Sequence, residues 1–258
     1  MCHLRHTLPY PTIIERDVPM NEFMLIIKEG ASALGIEISE QQLEKLWQHW
    51  CAVKEAPFNL TAIKDDREAA EKHYLDSIAA LPQIPAGELW CDIGTGAGFP
   101  GLVLAVMRSE QRILLLESNG KKCGFLTDMA AKLGLSKVEV LNSRAETAAK
   151  TRRDSIDVVM ARAVSHVSVL AEYGAPLLRL QGTLVCYKGP GYAQELSESK
   201  AALAKLGMKA GAQAELLLPN GEQRIIGKLV KHAPTPKAYP RREGMAENKP
   251  LVPRETRA

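Results

Sequence analysis

The sequence lacks the features that would commit it to a membrane, a secretory route or a disulfide scaffold. Its 258 residues contain no apolar run of membrane-spanning length, and the N-terminus has no secretory h-region. Five cysteines (Cys2, Cys51, Cys91, Cys123, Cys186) are scattered and odd in number, and none forms Cys-x-x-Cys. That pattern fits a reduced, cytoplasmic compartment. Neither sign of charge dominates: 33 Lys and Arg face 30 Asp and Glu, a net charge of +3. No internal repeat is visible, so a solenoid or propeller is excluded. Cys2-His3-x-x-His6 has metal-ligand residue types, but residues 1–20 are read as an unassigned leader with no metal site, and Met20 as a candidate start. With 46% apolar and 24% charged residues, the chain suits one large α/β domain with small extensions.

What the sequence does contain is a glycine loop in a telling place. Leu89-Trp-Cys-Asp ends an apolar run, and glycines follow at 94, 96, 98 and 101 before Leu102–Val106 resumes as a helix. Strand, glycine loop and helix form the layout of a nucleotide-type cofactor site: glycine lets backbone approach a ligand, and the helix start offers unpaired N–H groups. Gly96-x-Gly98-x-x-Gly101 fits the dinucleotide pattern, and Gly94-x-Gly96-x-Gly98 fits the loop of S-adenosylmethionine (SAM) methyltransferases. Glu117, closing the next apolar run, would hold ribose hydroxyls of either cofactor.

The pattern around this loop separates the two. Three N-terminal helices are expected: one capped by Asn21 and ending before Gly35, Glu40–Lys54, and Asp66–Leu81. Leu43, Leu46, Trp47 and Trp50 form a stripe read as core rather than as an aromatic binding face. Strands are expected at Glu88–Asp92, Arg112–Glu117, Val138–Leu141, Ile156–Met160, Thr183–Tyr187, Ala214–Leu218 and Arg224–Val230. Helices are expected at Phe99–Arg108, Lys121–Leu133, Ala145–Ala149, Val167–Leu180 and Tyr192–Leu206. Alternation through the first five strands implies a mostly parallel, Rossmann-like α/β sheet. The last two strands are joined by Pro219-Asn220-Gly221, a hairpin signal. A terminal antiparallel hairpin closes SAM-methyltransferase sheets and not dehydrogenase sheets. The expected organisation is a leader (1–20), a helical extension (21–84), a SAM-binding domain (85–232) and a basic C-terminal tail (233–258). From Lys228 that tail carries eight Lys or Arg against three Glu, around Tyr239 and several prolines. It reads either as a nucleic-acid backbone contact or as a solvated tail.

Pro57-Phe-Asn-Leu-Thr-Ala-Ile, His73-Tyr-Leu-Asp-Ser, Asp92-Ile-Gly-Thr-Gly-Ala-Gly-Phe-Pro-Gly, Ala161-Arg-Ala and Thr235-Pro-Lys-x-Tyr-Pro-Arg stand in one order. In these the chain resembles the bacterial 16S rRNA (guanine-N7) methyltransferase G family, also called glucose-inhibited division protein B, from about Asn21 to Leu251. The resemblance implies a class I SAM-dependent methyltransferase fold with a helical N-terminal extension. It also implies methylation of N7 of one guanine in small-subunit (16S) rRNA. Cofactor contacts carried over are Gly94 and Phe99, Ala145 and Glu146, and Arg162; Gly96, Gly98 and Glu117 join them from the loop reading. Ala238 and Met245–Glu247 depart from the family's basic tail.

Guanine N7 has a free lone pair and no proton to lose, so no general base is required, and none stands out. No Asn-Pro-Pro-Tyr follows the fourth strand and no Pro-Cys nucleophile occurs. Arg162 is the candidate catalytic residue, positioning the guanine or its phosphate; a strand-end salt bridge is the alternative. Asn59, His73, Lys188, Tyr239 and Arg241 are candidate RNA contacts, and His73 and Asp76, one helical turn apart, could pair. The expected partner is 16S rRNA or the small ribosomal subunit, with no membrane, and the protein itself a monomer. Rival readings are a SAM enzyme acting on a small molecule or protein, an NAD-dependent oxidoreductase, and a non-catalytic SAM-fold binder.

Overall fold

The computed structural model describes residues 20–162 and 165–251. The Cys2/His3/His6 group, Ala163, Arg254 and Arg257 lie outside the described residues.

The N-terminal helices start on side-chain caps. Asn21 Oδ1 accepts the Met24 N–H at 3.0 Å and opens α1 (Glu22–Ala33). Ser39 and Gln42 exchange reciprocal hydrogen bonds at the head of α2 (Glu40–Glu55). Leu43, Leu46 and Trp50 are fully buried, so the aromatic stripe is core. The third expected helix is not uniform. It runs as α3 (Asp66–Ala69), a π turn (Ala70–Leu75), α4 (Asp76–Ala79) and a 3-10 turn (Leu81–Gln83). A π turn withdraws carbonyls from the regular ladder, and those of Lys72 and His73 are used elsewhere, as described below.

Seven strands then form one sheet: β1 (Leu89–Ile93), β2 (Arg112–Glu117), β3 (Val138–Asn142), β4 (Ile156–Arg162), β5 (Leu178–Lys188), β6 (Met208–Leu217) and β7 (Gln223–Lys231). The order is β3-β2-β1-β4-β5-β7-β6. β1 to β5 are parallel, and β7 lies antiparallel between β5 and β6. The connecting helices are α5 (Gly101–Met107), α6 (Gly120–Lys132), α7 (Ala145–Ala148), α8 (Val167–Gly174), α9 (Tyr192–Glu198) and α10 (Lys200–Leu206), and α11 (Met245–Asn248) follows in the tail.

Three boundaries differ from the sequence expectation. α8 ends at Gly174 instead of Leu180, and β5 begins at Leu178, because Pro176 has no N–H to continue a helix. The long helix expected at Tyr192–Leu206 is divided at Ser199, whose hydroxyl donates back to the Glu195 carbonyl at 2.7 Å. β6 begins at Met208, six residues earlier than expected; its first half is an exposed edge strand in which only small alanines alternate with polar residues and glycine, a weak strand signal.

Both sheet faces are covered. One carries Ile113, Leu115, Val158, Met160 and Tyr187 against α1, α2, α5 and α6 and includes Trp50 and Tyr74. The other carries Cys91, Leu114, Val159 and Leu184 against α8 and α10. The N-terminal helices therefore share a core with the sheet. Beyond β7 the chain stays docked. Lys231 is 1% exposed; its ammonium donates to the Ala175 and Leu178 carbonyls at 2.8 and 2.7 Å and pairs with Asp154.

Candidate active site

The strand order reverses direction at β1, which has β2 on one side and β4 on the other. In such sheets a crevice opens beyond the carboxyl ends of these strands, where ligands bind. The loop after β1 fills one wall of it. Asp92, wholly buried, accepts the Gly101 N–H through Oδ2 at 2.7 Å and so ties the strand to the start of α5. A Cβ on Gly101 would lie 2.4 Å from Leu115 and 2.8 Å from Asp92, so only glycine permits this approach. Gly96 has the opposite reason. Its φ is +61°, and a Cβ there would meet only the Gly94 carbonyl oxygen at 4.0 Å; it borders open space.

Glu117, at the end of β2, faces the loop. One carboxylate oxygen accepts the Gly96 N–H at 3.0 Å and the other the Asn119 N–H at 2.8 Å. Each oxygen keeps acceptor capacity for a hydroxyl. Burial pushes the Asp92 carboxyl up to about 7, offset in part by Thr95, Gly101 and Arg162. Thr95 favours the Asp92 anion without reaching ordinary hydrogen-bond geometry, so Asp92 Oδ1 and Thr95 Oγ1 are both buried without a full partner. An unsatisfied buried carboxylate oxygen suits a cationic ligand with polar donors. SAM, with its sulfonium and ammonium groups, fits that description.

The N-terminal helices brace this loop from behind. His49 on α2 donates from Nε2 to the Ala97 carbonyl at 2.8 Å, and its Nδ1 accepts the Tyr74 hydroxyl at 2.8 Å. Because a carbonyl only accepts, Nε2 carries a proton. Burial holds its pKa down to about 4, against a smaller opposing effect of the Ala97 carbonyl. Phe99 stacks on His73 with ring centroids 4.5 Å apart.

Arg162 ends β4 on the far wall. Its NH1 donates to the Lys72 carbonyl at 2.9 Å and to Asp76 Oδ2 at 3.0 Å, and its guanidinium lies over the Phe99 ring at 5.4 Å. The π turn supplies the Lys72 carbonyl. Asp76 is 4% exposed at its side chain, and its other oxygen accepts Arg224 Nε at 2.6 Å. The expected His73–Asp76 pair does not form, since both Asp76 oxygens go to arginines. His73 turns to Thr61 Oγ1, 2.7 Å from its Nε2, and to Phe99. Burial and Arg162 together lower its pKa to about 4.

The candidates fall into four places. Gly94, Gly96, Gly98, Phe99, Glu117, Ala145, Glu146 and Arg162 lie along the carboxyl edge of β1 to β4. His73, Arg162 and Lys188 line one cavity of about 540 Å³ with Asp76, Tyr187, Glu222 and Arg224. Lys188 is engaged there by the Ser165 carbonyl at 2.6 Å and Glu195 at 2.7 Å. Asn59 stands apart, exposed and 3.4 Å from the Lys64 ammonium. Tyr239 and Arg241 line a separate cavity of about 920 Å³ beside α7.

The tail departs most from expectation. Arg241 is not a free cation: Nε and NH2 grip both oxygens of Glu172, itself 1% exposed, at 2.8 and 2.6 Å. A carboxylate buried to that degree requires a charge partner. Arg153 holds the Tyr239 and Thr235 carbonyls at 2.8 and 2.7 Å, and the Glu146 carboxylate accepts the Gly244 N–H at 2.9 Å. The Glu146 side chain thus faces the tail. Missed altogether were His49 and Arg224, which sit in ordinary helix and strand patterns, and Glu222 in the hairpin turn.

Residues 39–222 match the family model described as rRNA small subunit methyltransferase G. The chain belongs to this family. Ribosomal RNA small subunit methyltransferase G of Pelotomaculum thermopropionicum is 39% identical over 232 residues, spanning 87% of this chain and 97% of the relative. The proteins of the same name from Leuconostoc citreum and Roseiflexus sp. are 37% and 38% identical, spanning 84% and 88% of this chain and 95% and 100% of the relatives. A member of the methyltransferase G family is a SAM-dependent enzyme, and the sheet with its terminal hairpin is that of its fold class. In this member Gly94–Gly98, Asp92 and Glu117 border the crevice at the carboxyl ends of β1 and β2, with chemistry that would suit SAM.

Two predictions follow from the loop and its brace. Gly96→Ala adds strain of about 1–2 kcal/mol at positive φ but meets no protein atom, so the variant stays folded and loses at least tenfold in SAM affinity by calorimetry. His49 has the opposite signature. The unfolded chain takes up its proton near pH 6.5, while the folded state refuses it until about pH 4. Its contribution is complete above pH 6.5 and declines by about 3 kcal/mol as pH falls to 4. Asp92, with its raised pKa, acts in the other direction, losing stability as pH rises toward 7. Urea denaturation of wild type and His49→Gln, compared at each pH, isolates the histidine: the wild-type advantage at pH 7 shrinks by pH 4.5. A constant difference would show that His49 does not titrate this way.

Proposed function

We propose that this protein methylates N7 of one guanine in 16S rRNA, taken as an unpaired or extruded base, using SAM as methyl donor. The observation that carries the reading is the cavity beside the loop. Most of its titratable groups are engaged: Asp76 by two arginines, Lys188 by Glu195, and His73 as a neutral ring on Phe99. Among the described residues lining it, Glu222 alone keeps an uncommitted carboxylate, and attack by N7 needs no base. SAM when bound supplies a methyl group activated by its sulfonium. The residues supply placement and electrostatics. Arg162 carries a planar cation over Phe99 at the junction of the two walls, where it can hold guanine O6 or a phosphate.

Extrusion follows from the substrate. N7 lies in the major groove, which in A-form RNA is too deep and narrow for side chains to enter. Exposed Lys150, Lys237 and Arg242 are cations placed to meet the RNA backbone around the tail. Among the described residues no helix is long and apolar enough to cross a membrane. We take the protein to act in the cytoplasm as a monomer.

Incubation with methyl-labelled SAM and 16S rRNA, intact small subunits or tRNA, followed by nucleoside mass spectrometry, is expected to yield 7-methylguanosine from the ribosomal substrates alone. Label on an exocyclic amine, on another base or on protein would overturn the reading. Arg162→Lys replaces the fork by a point charge. It is expected to slow single turnover about a hundredfold while the variant still binds SAM. A wild-type single-turnover rate with a lowered melting temperature would assign Arg162 to the salt bridge with Asp76 alone.

A further inference from the structure

The cavity lined by Arg162 is also lined by Glu222 of the β6–β7 turn and by Arg224 at the start of β7. The turn is rigid. Leu218 N–H donates to the Glu222 carbonyl at 2.9 Å, Gly221 N–H to the Leu218 carbonyl at 2.8 Å, and Glu222 N–H to Asn220 Oδ1 at 3.0 Å. The Glu222 carboxylate and the Arg224 guanidinium enter the cavity lining from it. Arg224 is anchored on buried Asp76, so its position is set by α4 across the crevice.

Glu222 is held differently. Its Oε2 lies 3.7 Å from Arg224 NH2, an ion pair too long to be a hydrogen bond. Its side chain is 46% exposed, and among the described residues no donor makes a hydrogen bond to it. The other carboxylate at this position in the cavity, Asp76, has both oxygens occupied. Glu222 is therefore the lining carboxylate with two acceptors to offer a substrate.

We propose that Glu222 reads the Watson–Crick edge of the target base and makes the cavity specific for guanine. This rests on the guanine-N7 reading above. Guanine presents two parallel donors on that edge, N1–H and the N2 amine, matched by the two oxygens of a carboxylate. Adenine places an acceptor, N1, at the same point and is repelled. The contact also leaves N7 alone, because N7 lies on the Hoogsteen edge and its lone pair must stay free to attack. A cation donating to N7 would block the reaction; a carboxylate on the Watson–Crick edge does not. The engagement of Arg224 and Arg162 by Asp76 keeps these guanidiniums from collapsing onto Glu222.

The test uses 16S rRNA carrying either guanine or inosine at the nucleotide mapped by mass spectrometry. Inosine keeps N7 and N1–H but lacks the N2 amine. Single-turnover rates are measured for wild type, Glu222→Gln and Glu222→Ala. Wild type is expected to favour guanine over inosine roughly 10-fold or more, as for one half of a good bidentate contact. Both variants are expected to lose roughly 10- to 100-fold on guanine and to bring the guanine-to-inosine ratio close to one. The ratio is taken within each variant, so a reduced folded fraction cancels. A variant that keeps the wild-type ratio overturns the proposal and leaves Glu222 as a partner of Arg224 only. Failure of the underlying reading is distinct: wild type would then place the methyl group on an atom other than N7.

Discussion

The arrangement depends on a buried carboxylate between two arginines. Asp76 is 4% exposed at its side chain and sits where α4, the end of β4 and the start of β7 meet. A carboxylate in that position is tolerable only if its charge is matched and its lone pairs are filled; removal of one partner from such a pair costs about 3–5 kcal/mol. Arg162 and Arg224 meet that demand from opposite sides. Each guanidinium is thereby fixed at the rim of the cavity. The demand also shapes the backbone, since the π turn before Asp76 presents the Lys72 carbonyl to Arg162. One ion cluster thus sets a helix irregularity, two strand ends and the cavity wall.

A second constraint joins the N-terminal helices to the glycine loop. The chain from Tyr74 through His49 to Ala97 is a relay of two buried hydrogen bonds, and its direction is forced by the carbonyl at its end. Phe99, next along the loop, is packed by His49, His73 and Tyr74. The helices are thus structural supports of the cofactor loop, and a change in their packing is transmitted to Ala97 and Phe99 directly. On the other side of the crevice the tail does similar work. It grips Glu172 through Arg241 and meets Glu146 through Gly244, so the segment following β3 is held by residues about a hundred positions later in the chain.

These supports explain a division between charged groups that are free and those that are not. Arg241, Lys231 and Arg224 look alike in the sequence to Lys237 and Arg242. The first three are consumed by buried carboxylates or carbonyls, whereas the last two are exposed. Composition alone does not separate the two groups. Only the exposed ones can release counterions on meeting phosphate.

The sequence by itself determined the α/β alternation, the glycine loop and the terminal hairpin, because each rests on local rules: apolar periodicity, backbone freedom at glycine and turn chemistry at Asn220-Gly221. It also placed Glu117 and Arg162 at strand ends, since strand boundaries there coincide with the end of apolar runs. Tertiary structure decided what the local rules do not encode. The π turn presents a carbonyl to a distant arginine, and the first half of β6 is paired as a strand with β7 beside it. Asp76 was visible as a neighbour of His73 on one helix, yet its partners come from residues 86 and 148 positions away. Pairings of that separation depend on which surfaces the folded sheet brings together, and no periodicity within a segment records them.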